Sequence, residues 1–207
     1  MKQIALLAGL TLTALLAGGC LNTRPTTDLT RHFVLSPRVE TDPASADSGP
    51  GLIIGLNPVD LPPYAQSQRL LVRMSPSEVA FLEDCRWAER LDRGVQRVLA
   101  DNLSRCPPIR RVDPAPWRRD RIQVELTVSM DRFEVGADGT TAIEAEWHFG
   151  LPGRSEGWSS GRTELEQKGP SPYADPAGAV ATLSDLLATL SRKIAVEVGN
   201  QSDAREN

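Results

Sequence analysis

From Ile122 to Asp131 the chain alternates without a break between apolar and polar residues, and this run constrains the fold more than any other stretch. Ile122, Val124, Leu126, Val128 and Met130 share one side, while Gln123, Glu125, Thr127, Ser129 and Asp131 share the other. Successive strand side chains point to opposite faces, so the pattern is a strand with one face in a core and one in water. The phase then slips, because the next apolar residues are Phe133 and Val135. One extra residue near Asp131-Arg132 restores it, which predicts a β-bulge. Gly136-Ala137-Asp138-Gly139 reads as a tight turn. On the return strand Ile143, Ala145, Trp147 and Phe149 alternate with Glu144, Glu146 and His148, and Trp158 to Gln167 is expected as a third strand of the meander.

An apolar sheet face needs a cover, and two helical patterns supply it. Leu91, Val95, Val98, Leu99 and Leu103 fall at helical spacing. The helix is expected from about Trp87 to Ser104, with Asp84 as its N-cap and Pro107-Pro108 as its stop. A longer helix is expected from Pro176 to Val198, with Val180, Leu183, Leu187, Leu190, Ile194 and Val198 along one face. Upstream, His32 to Leu35, Leu52 to Leu56, Arg69 to Met74 and Glu78 to Leu82 read as strands, the last two joined through Ser75-Pro76-Ser77. Asn57 to Gln68 is a Pro-rich connection. Strands, helix, strands, helix in one unit predict a single α/β domain with a mixed sheet.

The N-terminus adds a compartment. Lys2 precedes an apolar run from Ile4 to Ala17, broken only by Gly9, Thr11 and Thr13. That run is a secretory signal rather than a span, being too short for roughly 30 Å of hydrocarbon. Leu16-Ala17-Gly18-Gly19-Cys20 resembles the bacterial lipobox, although Ala17 stands where a large aliphatic residue is usual. On that reading Cys20 is acylated and becomes the new N-terminus; an ordinary signal peptide cleaved nearby is the alternative. Acyl chains at about 0.8 kcal/mol per buried CH₂ would anchor the chain stably. Leu21 follows the cysteine rather than Asp, which implies the outer membrane, facing the periplasm. The expected organisation is a signal peptide over 1–19, a tether over 20–31, a domain over 32–200 and a polar tail over 201–207. Cys85 and Cys106 flank the first helix, roughly 25 Å long at 1.5 Å per residue. A disulfide needs Cα atoms within about 7 Å, so two thiols are expected rather than a bridge.

Little here points to reaction chemistry. The net charge of −4 gives no reason to expect nucleic acid. The sequence shows no HExxH, CxxC, nucleophile elbow, phosphate loop or Gly-rich dinucleotide turn. His148, Glu144 and Glu146 occupy the wet face of a strand, where polar residues belong. No catalytic residue, metal ligand or cofactor is therefore assigned. Arg105, Arg110, Arg111, Arg118, Arg119 and Arg121 crowd one connection around Trp117, with Asp101, Asp113 and Asp120 among them. This stretch reads as a solvated loop, the alternative being a contact with anionic head groups or an acidic protein. Pro62, Pro63 and Tyr64 form the candidate partner-binding segment. The prolines pre-set the backbone, and the tyrosine offers an apolar ring with a polar tip.

Two segments carry a family resemblance. One is Val59-Asp60-Leu61-Pro62-Pro63-Tyr64 followed by Arg69-Leu70-Leu71-Val72-Arg73. The other is Arg86-Trp87-Ala88-Glu89-Arg90-Leu91, running on to Asn102-Leu103. Behind a lipobox, these resemble the ABC-type transport auxiliary lipoproteins, the PqiC-like family, with V-x-L-P-x-Y-L, L-V-x-R and W-A-E-P-L stretches. Asp131-Arg132-Phe133-Glu134 and Ala145-Glu146-Trp147 are similar to the family's central hairpin. Ser67 stands where the family often has a basic residue, and Arg90 replaces its proline, so helix initiation is expected to lean on Asp84. The resemblance implies a three-layer α/β fold related to the TolB N-terminal and anticodon-binding-like folds. It also implies a non-catalytic accessory role beside an MCE-domain protein and an ABC permease and ATPase, moving phospholipid or related molecules between membranes. Self-association into a homo-oligomer is compatible with that role. The alternative function is an envelope structural or regulatory lipoprotein that assembles or activates another complex.

Overall fold

The computed structural model describes residues 28–40, 51–154 and 158–206; the signal peptide, Cys20 and most of the tether lie outside them. Along the chain run β1 (Arg31–Phe33), β2 (Leu52–Leu56), β3 (Arg69–Ser75), β4 (Glu78–Trp87), α1 (Leu91–Leu103), β5 (Ile109–Pro114), β6 (Val124–Gly136), β7 (Thr140–Gly150), β8 (Ser159–Lys168) and α2 (Pro176–Glu206). All eight strands join one mixed sheet.

The alternating run is β6, the spine of that sheet. It pairs antiparallel with β7, and Leu126 faces Phe149 while Met130 faces Ala145. The register shifts between Met130 and Arg132, so the bulge lies where the phase slip places it. β6 has two different neighbours on its other edge. Before the bulge it pairs in parallel with β2, as in Leu56 with Leu126. Beyond the bulge it pairs in parallel with β3, as in Val72 with Val135. Residues 57–68 bridge the gap between those two partners. Asp60 pairs with Ser129 there, and the Met130 N–H donates to the Asp60 carbonyl at 2.9 Å. β5 extends the sheet beyond β2, β4 and β1 extend it beyond β3, and β8 lies beyond β7.

One core fills the space between the sheet and the helices. It joins Leu126, Val128 and Met130 of β6 to Val95, Val98 and Leu99 of α1 and to Leu187, Leu190 and Ile194 of α2. Burying each such side chain stabilises the fold by about 1.5–3 kcal/mol. The helices pack against each other as well as against strands, so they form one layer on one face. Among the described residues no helix covers the opposite face, which carries polar side chains and the Tyr64 turn. The single α/β domain with a mixed sheet and two main helices is thus present, with both helices on the same side.

Residues 34–40 form an irregular strap that buries Leu35 and Val39. Asn102 Oδ1 of α1 accepts the backbone N–H of Arg38 at 2.9 Å and of Val39 at 3.1 Å. Arg97 donates to the Leu35 carbonyl at 3.0 Å, and Arg105 to that of Val39 at 2.9 Å.

Four elements differ from expectation. β4 continues to Trp87, and α1 starts only at Leu91. Asp84 lies inside β4 and caps nothing; Arg90 occupies the N-cap without a side-chain cap bond. Cys85 and Trp87 turn inward at strand period and pair in parallel with Arg31 and Phe33 of β1. The arginine-rich stretch holds β5, in which Ile109 and Val112 are buried while Arg110 and Arg111 are exposed. Its register against β2 shifts between Leu52 and Ile53, so the inward residues fall three apart and no alternation marks the strand. α2 continues beyond Val198 to Glu206, through the segment read as a tail. Cys85 and Cys106 are buried free thiols, and burial pushes both pKa values up.

Candidate functional site

The gap between β2 and β3 is where the sequence departs most from regular structure. Pro62 and Pro63 fix φ near the value a tight turn needs, and residues Pro63–Ala65 form one turn of 3-10 helix. The Ala65 N–H donates to the Pro62 carbonyl at 2.9 Å, and Gln66 Nε2 closes the loop on the Leu61 carbonyl at 3.0 Å. Leu61 and Ala65 are buried, which leaves the half-buried Tyr64 on the face away from the helices.

Tyr64 lies against an ion network. The Arg73 guanidinium sits 5.3 Å from its ring centroid, a cation–π distance. Its hydroxyl is 3.4 Å from Glu134 Oε2 and 3.5 Å from the Asp131 carbonyl oxygen, both long for O–H donors. Arg73 comes from β3 and Glu134 from β6 beyond the bulge, strands that meet only there. Arg73 donates to Glu134 Oε2 from Nε at 3.0 Å and from Nη2 at 2.6 Å. Arg132 Nε donates to Oε1 at 2.6 Å and its Nη1 to Glu166 at 3.2 Å. Both oxygens of Glu134 are therefore occupied, and its side chain is only 3 % exposed.

The bulge sets this geometry. It places Asp131 beside Arg132, and Arg162 of β8 reaches Asp131 at 3.3 Å. Arg162 also pairs with Glu144 and Glu146, so the adjacent carboxylates on β7 share one guanidinium. A groove of about 550 Å³ opens above the network, lined among others by Tyr64, Arg73, Met74, Arg132, Asp138 and Thr140.

Burial works to raise the pKa of Glu134, but the hydrogen bonds from Arg73 and Arg132 outweigh it and hold the carboxyl below its ordinary range. The same bonds raise Arg73 and Arg132. Burial, followed by the Glu134 charge, raises Tyr64. A carboxylate with both oxygens taken by guanidinium is a poor proton acceptor. The arrangement suits recognition, offering a rigid aromatic edge on a closed ionic base.

The three residues predicted for partner contact, Pro62, Pro63 and Tyr64, are together in this turn. The reading of the sequence missed Arg73, Arg132 and Glu134 as parts of the site, and alternation marks Arg132 and Glu134 only as outward-facing. Among the described residues no group of His, Cys, Asp or Glu is arranged to hold a metal ion.

The fold is a single-core α/β domain built on one mixed sheet. Residues 33–195 match the family model of the ABC-type transport auxiliary lipoprotein component, and the chain belongs to that family. No curated protein matches the chain. Among solved structures, a Xanthomonas campestris protein of the family DUF330 is 16% identical with a TM-score of 0.68, over 85% of this chain and 99% of that one. The crystal structure of an uncharacterized protein is 22% identical with a TM-score of 0.64, over 82% of this chain and 99% of the other. These likenesses show the fold.

Proposed function

We propose that the chain is a periplasm-facing lipoprotein, held in the outer membrane through acylated Cys20, that serves an MCE/ABC-type intermembrane lipid transport system as a non-catalytic docking component. Family membership supports the transport role. The observation that carries docking is the Tyr64 turn, pre-set by two prolines and half-exposed beside the groove. A surface already ordered loses little entropy on binding. The closed state of Glu134 supports a role without turnover.

The test is co-purification from detergent-extracted membranes. Wild-type protein is expected to bring down an MCE-domain protein and the permease and ATPase. Tyr64→Ala is expected to stay folded and lose them. If the variant melts several degrees lower and still binds, Tyr64 is structural and the docking surface lies elsewhere. Capture of a cell-wall synthase or another envelope assembly in place of the transporter would favour the structural or regulatory alternative. Cys20→Ser is expected to abolish incorporation of radiolabelled palmitate; label remaining on that variant sinks the anchor assignment.

A further inference from the structure

A second surface lies at the opposite edge of the sheet from β1 and β5. β8 pairs with β7 along its whole length, from Phe149 with Ser159 to Thr140 with Lys168. Among the described residues no strand pairs with its other edge. α2 packs beside β8, and the two border a groove of about 570 Å³. Residues 160–163, all consecutive in β8, line it. Successive strand residues point to opposite faces, so a wall built of all four presents the edge of the strand.

Gly161 stands in the middle of that wall, directly across from Trp147. A Cβ on Gly161 would come within 2.4 Å of the Trp147 indole, so only glycine lets the ring lie there. Trp147 is 3 % exposed, it lines the groove, and its Nε1–H has no hydrogen-bond partner. The facing wall comes from α2. Arg192 and Lys193 are exposed there, and neither has an ion pair among the described residues. Val196 is 60% exposed beside them, and Glu197 completes the wall. Arg162 also lines the groove, but its guanidinium is already paired with Glu144 and Glu146 of β7.

We propose that the groove takes an extended acidic segment of a partner protein, which adds a strand to the free edge of β8. Main-chain hydrogen bonds along an open edge supply affinity, and a side-chain pocket supplies selectivity. One apolar side chain of the incoming strand lies beside Gly161, against the flank of the Trp147 ring and Val196. Carboxylates flanking it meet Arg192 and Lys193. This site is independent of the Tyr64 turn.

The probe is a fluorescent peptide alternating Glu and Val around a central Phe, titrated into the full chain at low salt. A control peptide carries Lys in place of every Glu. The acidic peptide is expected to bind at micromolar concentration and to slow backbone amide exchange across Ser159–Lys168. The double variant R192E/K193E is expected to keep its melting temperature, since both positions are exposed, and to weaken binding about ten-fold. Tyr64→Ala should leave this binding unchanged, which separates failure here from failure of the docking role. Absence of binding at millimolar peptide, equal binding of the Lys control, or binding without slower exchange in β8 each overturns strand addition. Titration with monomeric dodecyl phosphate supplies a further arm. If it displaces the peptide and binds more tightly without protecting β8, the groove is a site for an anionic amphiphile and the proposal is wrong.

Discussion

The two faces of β6 are built on opposite principles. Toward the helices, Leu126, Val128, Met130, Phe133 and Val135 enter one apolar cluster. Toward the other side, Glu134 is also buried, yet it is charged. Apolar contacts are non-directional, so a lost methyl group costs in proportion to the space it leaves. A buried carboxylate tolerates no such gradual change, because it is stable only while Arg73 and Arg132 both hold it. The bulge at Asp131 marks a change along the outer face alone. Before it, the outer positions Thr127 and Ser129 are partly exposed and uncharged; beyond it, outer Glu134 closes an ionic network under Tyr64.

The comparison breaks most sharply at Glu134. Glu134→Gln leaves two partly exposed guanidinium groups facing a neutral amide, and the expected loss is about 1.5–3 kcal/mol in urea or thermal unfolding. The pH dependence follows from the depressed pKa. The unfolded chain protonates this group near its ordinary value of 4.5, while the folded chain does so at lower pH. Its contribution is therefore fully present above that value and disappears as pH falls through the folded pKa. Wild-type stability should drop on acidification below about pH 4.5, and the difference between wild type and Glu134→Gln should narrow there. A difference that stays constant down to pH 2 would show that the network contributes no charge-dependent stability.

Asn102 sharpens the comparison from the helix side. It is a fully buried polar group inside the apolar layer, and one oxygen holds two backbone N–H groups of the strap. Asn102→Leu fills the space but strands both donors, with an expected cost of about 2 kcal/mol. Amide exchange at Arg38 and Val39 should accelerate while that of β6 changes only with global stability. Unchanged exchange at the two positions would mean that Leu35 and Val39 hold the strap by packing alone.

Much of this was legible because period decides it. The meander, its bulge and the second helix follow from where Met130, Phe133 and the leucines of α2 fall. Other features lack a local signal. Trp87 and Leu91 are four apart and imitate one helical turn, yet Trp87 completes a strand through its pairing with β1, a contact distant in sequence. β5 is hidden because its register shift sets Ile109 and Val112 three apart. Tyr64 could be chosen because the two prolines beside it mark a rigid turn. Glu134 could not, since an outward position on an alternating strand reads as wet, and its burial comes from Arg73 on another strand and from the turn above.

The mildest test lies at the tyrosine hydroxyl. Its two contacts, at 3.4 and 3.5 Å, are long, whereas its ring has a cation–π neighbour and packs on the turn. Tyr64→Phe keeps the ring under Arg73 and removes only the weak bonds, so the expected loss is under about 1 kcal/mol. Glu134 keeps both guanidinium partners in this variant, which is why the effect should be smaller than that of Glu134→Gln. A thermal shift as large as that of Glu134→Gln would instead make the hydroxyl a full member of the ionic network. The same variant also divides the docking role. If the partner grips the aromatic edge, Tyr64→Phe retains it in co-purification while Tyr64→Ala loses it. If Phe and Ala lose it alike, the polar tip carries recognition, and the contact is a hydrogen bond at the groove rather than apolar packing.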